Sequence, residues 1–463
     1  MKISTRVAII GGGISGLATA WWLRQAGIDS VVLEREQAPG GTMQTIRDGE
    51  WMMELGPNSA LETTPLFKQL FAEIGIAGEV LNANRVSNRR YILRNGTLHP
   101  LPAGPGGFLA SKLWSVAGKL RLLGEPFAGR ASKEETIAEF VERRLGREFL
   151  DYAIDPFVAG VYAGNPSSLS VRAAFPKLYA LEEKYGGLIV GTLKSARERK
   201  KRAEKSKDRA GMISFQNGMA VFPKAIAGKL GDKFIGGVSI ESITRRTDAV
   251  KPIYLLNGMR GGEGLTCEAD AVLTAVPSYV TAPLIERFDP SLAKLLNEIY
   301  YPAVAEVFLG FKESDIARPL DGFGFLVPAK EKRKILGCIW SSTLFPNRSP
   351  RDFAALTVFV GGSRNPEVMK LDDDELKAVV CDELKSIMGV SGAPAYAKIS
   401  RWSKAIPQYN LGHLAIIEKV EQFERANPGI FLSGNFRGGI SVGDCIMSSD
   451  RTAKAVKTFL GSR

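Results

Sequence analysis

Three glycines and one acid carry the first readable chemistry of this chain. Gly11, Gly13 and Gly16 stand in the spacing G-x-G-x-x-G. They follow the β-branched run 6–10 directly and open a helical pattern, 17–26, that ends at Gly27. A second apolar run, 31–33, closes on Glu34. Strand, glycine turn, helix, strand and terminal acid form the βαβ arrangement that binds a dinucleotide. Gly11 permits the tight turn, Gly13 lets backbone approach a pyrophosphate, and Gly16 lets helix pack on strand. The helix N-terminus presents amide donors and a positive dipole to phosphate. Glu34 stands where a carboxylate accepts from a ribose hydroxyl. That acid argues against a 2′-phosphate and so against NADP, and Arg35 beside it reads as solvated. The bland alternative is a glycine-rich turn in an α/β protein. These residues alone do not choose between NAD and FAD.

Other chemistries are poorly supplied. His99 and His413 are the only histidines, too few for a multi-histidine metal centre. Cys267, Cys338, Cys381 and Cys445 are far apart, with no C-x-x-C pair, so no metal site is expected. They read as reduced core residues in a reducing, cytosolic compartment. The uncharged run 7–23 imitates a secretory signal, but glycines 11–13 in its middle suit strand, turn and helix better. No other run approaches the roughly 20 apolar residues of a membrane span, so the chain reads as soluble or peripheral. Among its 463 residues, 61 Lys and Arg against 49 Asp and Glu give a charge of +12, which suits an anionic partner.

Further glycine-rich turns follow. Pro39-Gly40-Gly41-Thr42 makes a second surface without side-chain bulk, and Gly56-Pro57-Asn58-Ser59 follows Glu54 as a rigid turn. Gly434-Asn435 follows the apolar run 430–432, and residues 438–446 lead into a helical pattern ending near 459. Strand, glycine turn and helix start there form a second phosphate- or ring-facing site. The run 270–277 reads as a buried strand ending at Pro277.

The ordered set GGGISG, Glu34, PGG, GPNS, DAVLTAVP and GNFRGGISVGDC resembles the FAD-dependent amine oxidase and desaturase superfamily. With GVYAGN at 160–165, GFGFLVP at 322–328, IPQYNLGH at 406–413 and LHPLP at 98–102, the chain is similar, more narrowly, to the oxygen-dependent protoporphyrinogen oxidases. The resemblance runs from near residue 6 to near 455. It implies six-electron oxidation of protoporphyrinogen IX to protoporphyrin IX, with hydride passing to the flavin and O2 as acceptor, so no catalytic acid or base is assigned. A sister branch implies coproporphyrinogen III instead, and an amine oxidase or desaturase is a further alternative. Outside this class stands a non-catalytic FAD-binding protein that docks through its basic lobe.

The resemblance implies non-covalent FAD against Gly11, Gly12, Gly13, Ile14, Ser15, Gly16, Glu34, Arg35, Gly41, Thr42, Gly56, Pro57, Asn58, Ser59, Val238, Trp402, Gly434, Asn435, Ile440, Ser441 and Val442. It implies substrate against Arg90, Ala159, Gly160, Phe323, Gly324 and Leu326. Arg90 would meet a propionate, since a planar guanidinium binds both carboxylate oxygens; adjacent Arg89 leaves the register open by one. His413 reads as a structural hydrogen-bonder. In one departure, Ala38 stands where the family has an arginine two residues before Gly40-Gly41.

The elements that must position these residues give an α/β protein. It has a Rossmann-type FAD-binding domain (1–85, 212–280 and 402–463), an α+β substrate domain (86–97 and 281–401) and a helical, basic insertion (98–211). Hairpin strands are expected over 236–247 and 253–256, and a helix over 372–388. The insertion reads as helices over 108–127 and 133–157. Residues 98–209 hold 20 Lys and Arg against 13 Asp and Glu, densest at 194–209. Phe108, Leu109, Leu113, Trp114, Leu120, Leu122 and Leu123, with Lys112, Lys119 and Arg121, suit a helix lying on an anionic membrane surface. The alternative is that they pack the lobe's own core. Nucleic acid is not expected, because the basic run has no interleaved aromatics. A homodimer is left open.

Overall fold

The computed structural model describes residues 1–202, 211–246 and 253–461. Val7, Ala8 and Ile9 are fully enclosed because their strand, Lys2–Ile10, sits mid-sheet between Ser30–Leu33 and Glu263–Thr274, parallel to both. Short Ile430–Leu432 runs parallel on the far side of Glu263–Thr274, and Phe234–Ile235 extends the opposite edge. The strands Val238–Arg246 and Ile253–Arg260 form an antiparallel hairpin that also joins Glu263–Thr274. Ile10 pairs with both Leu33 and Thr274, so three strand ends and the turns after them gather at one edge.

Two helices back this edge. Ile14–Gln25 starts at once after the glycine turn, and Val442–Gly461 lies beside it. The buried hydroxyl of Ser449 donates to Ser15 O at 2.9 Å, fixing one helix against the first turn of the other. Among the described residues no helix is long and apolar enough to cross a membrane.

A second seven-stranded sheet runs Tyr396–Trp402, Val304–Lys312, Phe353–Gly361, Ile335–Trp340, Gly324–Leu326, Tyr91–Arg94 and Thr97–Pro100. It is antiparallel except where Tyr91–Arg94 meets Gly324–Leu326. The helix Asp373–Met388 covers one face, with Asp372 and Glu375 closing a reciprocal capping box at its start.

The segment expected as one helix over 108–127 is instead broken. Helix Gly104–Ala110 ends before Ser111, helix Val116–Arg121 begins at the Ser115 cap, and a 3₁₀ turn covers Leu122–Phe127. Side chains hold the break at 111–115: Ser111 Oγ accepts from the Leu113 amide, and Ser115 Oγ accepts from the Gly118 amide while bonding Glu148. The apolar residues divide accordingly. Leu113 and Trp114 are buried, and Trp114 stacks on Phe149 at 4.7 Å. Leu109, Val116, Leu120, Leu123 and Phe127 remain between 59% and 88% exposed. Two cations offered to a membrane are engaged internally. Lys119 donates to the carbonyls of Leu109 and Ser111, and Arg121 to those of Arg143 and Arg144. Of the dense basic run 194–209, residues 194–202 close the helix Leu188–Arg202, and residues 203–209 lie outside the described residues.

A fully enclosed ion network ties this lobe together. Arg144 bridges Glu125 (3.1 Å) and Glu182 (2.6 Å), and Glu125 also accepts from the amides of Leu188 and Ile189. Removing one partner strands a buried charge. Glu125→Ala is therefore expected to destabilise the protein by about 3–5 kcal/mol in denaturant unfolding; a change within experimental error would contradict a structural role for this network.

Candidate flavin and substrate site

The glycine turn is built by exclusion. Gly11 has φ +109°, and a Cβ there would lie 2.8 Å from Ala275 O. A Cβ on Gly16 would lie 2.0 Å from Gly11 O. Gly13 differs: its φ is −73°, and no atom lies within 4 Å of the position its Cβ would take. Gly13 is also the N-cap of Ile14–Gln25, which no side chain caps and whose first turn holds no acid. An open space therefore faces uncapped amide donors, the arrangement an anionic pyrophosphate requires.

Glu34 is held beside this space. Its Oε2 accepts from the Gly12 amide at 2.5 Å, and its Oε1 from the Glu36 amide at 2.9 Å. The Val238 amide donates to its carbonyl, placing Val238 against the acid. Each carboxylate oxygen keeps lone-pair capacity for a diol. Arg35 is exposed and pairs with Glu36.

The second glycine loop docks on the first. Gly40 donates to Gly12 O at 2.8 Å, and a Cβ on Gly41 would approach the Gly13 Cα to 3.3 Å. Gly56 lies so close to Thr42 that a Cβ would meet its carbonyl oxygen at 2.2 Å. Asn58 turns its amide inward, donating to Gly56 O at 3.1 Å and to Glu306 at 3.2 Å. Pro57 and Ser59 are half-buried on the same turn.

At the C-terminal end, Ser433 continues the Ile430–Leu432 strand and donates to Thr274 O, placing Gly434 and Asn435 at the gathered edge. Tyr409 organises this loop. Its hydroxyl donates to Asn435 O and accepts from the Gly439 amide, and its ring stacks on His413 at 4.2 Å. His413 Nε2 lies 2.9 Å from Phe436 O, and burial lowers its pKa to about 4, so it is a neutral structural group at pH 7. Ser441 caps the final helix, exchanging bonds with Asp444, and Val442 is buried behind it. Ile440 packs toward the lobe's helices.

Of the expected substrate residues, the structure brings two pairs together. Arg90 lies over the Phe323 ring at 5.2 Å, while Arg89 is ion-paired with Asp321 at 2.9 Å. Gly160 faces Leu326, whose Cδ2 would lie 2.6 Å from a Cβ. Gly324, φ +132°, must be glycine because a Cβ would sit 2.0 Å from Cys338 O. Ala159 packs inward with Val304 and Leu336. The two regions are linked in steps: Ala159 and Val304 belong to one buried cluster, Val304 pairs with Trp402, and Trp402 Nε1 donates to Leu55 O at 2.5 Å.

Sequence reasoning missed Glu54, Arg348 and Glu306. Glu54 accepts from Arg348 (3.1 Å), Thr45 and the Met219 amide, and Arg348 also donates to Ser214. Glu306 offered a signal, a lone acid inside the otherwise apolar strand Val304–Phe311.

Comparison with known proteins agrees with this geometry. The model of flavin-containing amine oxidoreductases matches residues 14–457. Protoporphyrinogen oxidase 2, chloroplastic/mitochondrial, of Arabidopsis thaliana is 34% identical, covering 99% of this chain and 94% of that protein. Coproporphyrinogen III oxidase of Bacillus subtilis (strain 168) is 28% identical, covering 98% of each. A solved structure from Exiguobacterium sp. 255-15, carrying a provisional protoporphyrinogen oxidase name, has a TM-score of 0.80 at 25% identity, over 98% of this chain and 99% of that one.

Two glycine variants separate the cradle's roles. Gly13→Ala fits its backbone and the open space, so it is expected to melt like the parent yet bind flavin at least about tenfold more weakly. Gly16→Ala is expected to lower the melting temperature as well, because its methyl meets backbone. Thermal melting and flavin titration of both check this.

Proposed function

Because the chain belongs to the protoporphyrinogen oxidase family of the flavin-containing amine oxidoreductases, we propose that it oxidises protoporphyrinogen IX to protoporphyrin IX, with FAD held non-covalently and O2 as acceptor. Six electrons leave in three rounds, each round converting one O2 to H2O2. Bound FAD would supply the two-electron acceptor for hydride. Gly11–Gly16, Glu34, Gly40–Thr42, Gly56–Ser59 and the 434–442 loop would hold it, and the missing arginine at Ala38 leaves its phosphates to backbone donors.

What remains for the chain is to bind and orient a large apolar macrocycle bearing two carboxylates. Leu326 packs into the space that a side chain on Gly160 would take, and the two offer an apolar surface with little side-chain bulk. Phe323 adds an aromatic face and supports the Arg90 guanidinium, whose planar fork suits a propionate. The observation that carries this reading is the line Ala159–Val304–Trp402–Leu55, which connects the expected ring-binding residues to the loop expected to meet the flavin.

Coproporphyrinogen III, with four propionates, is the second reading, favoured by the Bacillus relative. The cations flanking Arg90 speak against it. Arg89 is held by Asp321, and Arg94 by Glu148 at 2.8 Å.

The exposed apolar set Leu109, Val116, Leu120, Leu123 and Phe127 lies beside the exposed Lys112. It supports peripheral attachment of this lobe to an anionic membrane.

Porphyrin fluorescence should rise when the holoenzyme meets protoporphyrinogen IX in air, and Arg90→Ala should raise KM about tenfold with little change in kcat. An unchanged KM would remove Arg90 from the site. Holoenzyme should float with vesicles containing anionic lipid, and Leu120→Glu with Leu123→Glu should abolish flotation. Flotation of the double variant equal to the parent would contradict the membrane assignment.

A further inference from the structure

Glu306 is 6% exposed and sits on the second strand from one edge of the second sheet, on the face that also carries Val304 and Phe308. Its cross-strand neighbours are Ser400 and Phe359. Among the described residues it makes no ion pair. The donor it receives is Asn58 Nδ2, at 3.2 Å. The charged group that acts on it comes from outside this sheet. Glu54, on strand Trp51–Glu54, adds a like charge, and Arg348 is already committed to Glu54 and Ser214. An ionised carboxylate here would be desolvated without a cation.

Asn58 resolves what this group does. Gly56 O can only accept, so the Asn58 nitrogen must face it, and the second hydrogen of that nitrogen points to Glu306. Both donors are used inside the network. The Asn58 carbonyl oxygen takes no donor from the protein among the described residues, and it belongs to the turn that follows the cradle.

We propose that Glu306 is a positioning residue for the oxidation described above: an uncharged carboxylic acid that holds the Asn58 amide so that its carbonyl oxygen is presented as an acceptor to an N–H group bound beside the turn. Substrate pyrroles and the flavin ring both carry such groups. The inference rests on the proposed function only for the identity of that donor. Burial raises the Glu306 pKa well above its ordinary value; the Asn58 bond opposes this and the Glu54 charge adds to it. A native pKa above the unfolded one contributes stability that is present at low pH and lost as pH rises. A glutamine keeps the acceptor for Asn58 and does not ionise.

The test uses holoenzyme of the parent, Glu306→Gln and Glu306→Leu, matched for flavin content. Glu306→Gln is expected to reduce its flavin within about twofold of the parent rate, and Glu306→Leu about tenfold more slowly. A pyrrole donor would appear as a raised KM in Glu306→Leu, and a flavin donor as a shifted flavin potential at unchanged KM; either supports the proposal. The melting temperature of Glu306→Gln should exceed the parent's by a margin that widens from about pH 5 to about pH 8. The infrared spectrum of the parent should carry a protonated-carboxyl stretch that Glu306→Gln lacks. Loss of flavin reduction in Glu306→Gln equal to that in Glu306→Leu would show that the charge acts, and would overturn the proposal. So would a parent-like Glu306→Leu, a margin independent of pH, or an unchanged infrared spectrum. If parent holoenzyme is reduced by no porphyrinogen, the functional reading fails while the melting and infrared arms still decide the state of Glu306.

Discussion

The ion pair between Glu54 and Arg348 is the constraint on which the site depends. Both groups are almost completely enclosed, and they come from opposite parts of the molecule. Glu54 ends the strand Trp51–Glu54, and Arg348 lies between strands of the second sheet. Removing either would leave a buried charge unpaired, which typically costs about 3–5 kcal/mol. The pair therefore holds only where the small hairpin of Thr45–Asp48 and Trp51–Glu54 meets the second sheet in one relative position. Thr45, Ser214 and the Met219 amide satisfy the remaining bonds, so the charges are fixed from four segments at once. The turn 55–59, proposed to face the flavin, starts at the residue after Glu54 and inherits that position.

From this anchor the chemistry follows by subtraction of bulk. Gly11, Gly16 and Gly56 are tight because backbone from another segment occupies the place of a side chain. Gly13 is open because nothing of the protein occupies it. The difference distinguishes glycines that shape the protein from one that leaves open space beside a helix N-terminus. The same division appears on the substrate side, where Gly324 is closed by Cys338 O and Gly160 faces a movable leucine side chain. A site made this way needs few reactive side chains, which suits a reaction whose electrons go to a bound cofactor.

The parallel βαβ start was legible because its signals are local: β-branched runs, glycine spacing and an acid at a fixed distance. The hairpin near 238–260 and the helix 373–388 were legible for the same reason. The division of the 104–127 segment was not, since apolar periodicity persists across serines whose hydroxyls cap the backbone and break the helix. Leu113 and Leu120, seven residues apart, share a face in helical projection, yet one is fully buried and the other faces outward. The Glu54–Arg348 pair was invisible because its partners are nearly three hundred residues apart. Ion pairs carry no sequence period, so only the fold reveals which acid meets which base. Tyr409 was quoted as part of a motif, but its link to Asn435 and Gly439 required the two loops to be seen together.

The central claim is that reducing equivalents pass from a porphyrinogen to flavin held by this cradle. Anaerobic mixing of holoenzyme with protoporphyrinogen IX, and separately with coproporphyrinogen III, at limiting concentration tests it directly. The account predicts bleaching of the flavin absorbance, faster with protoporphyrinogen IX, and recovery of the oxidised spectrum on admitting air. Faster bleaching with coproporphyrinogen III would reassign the substrate, and flavin left oxidised by both would contradict the account.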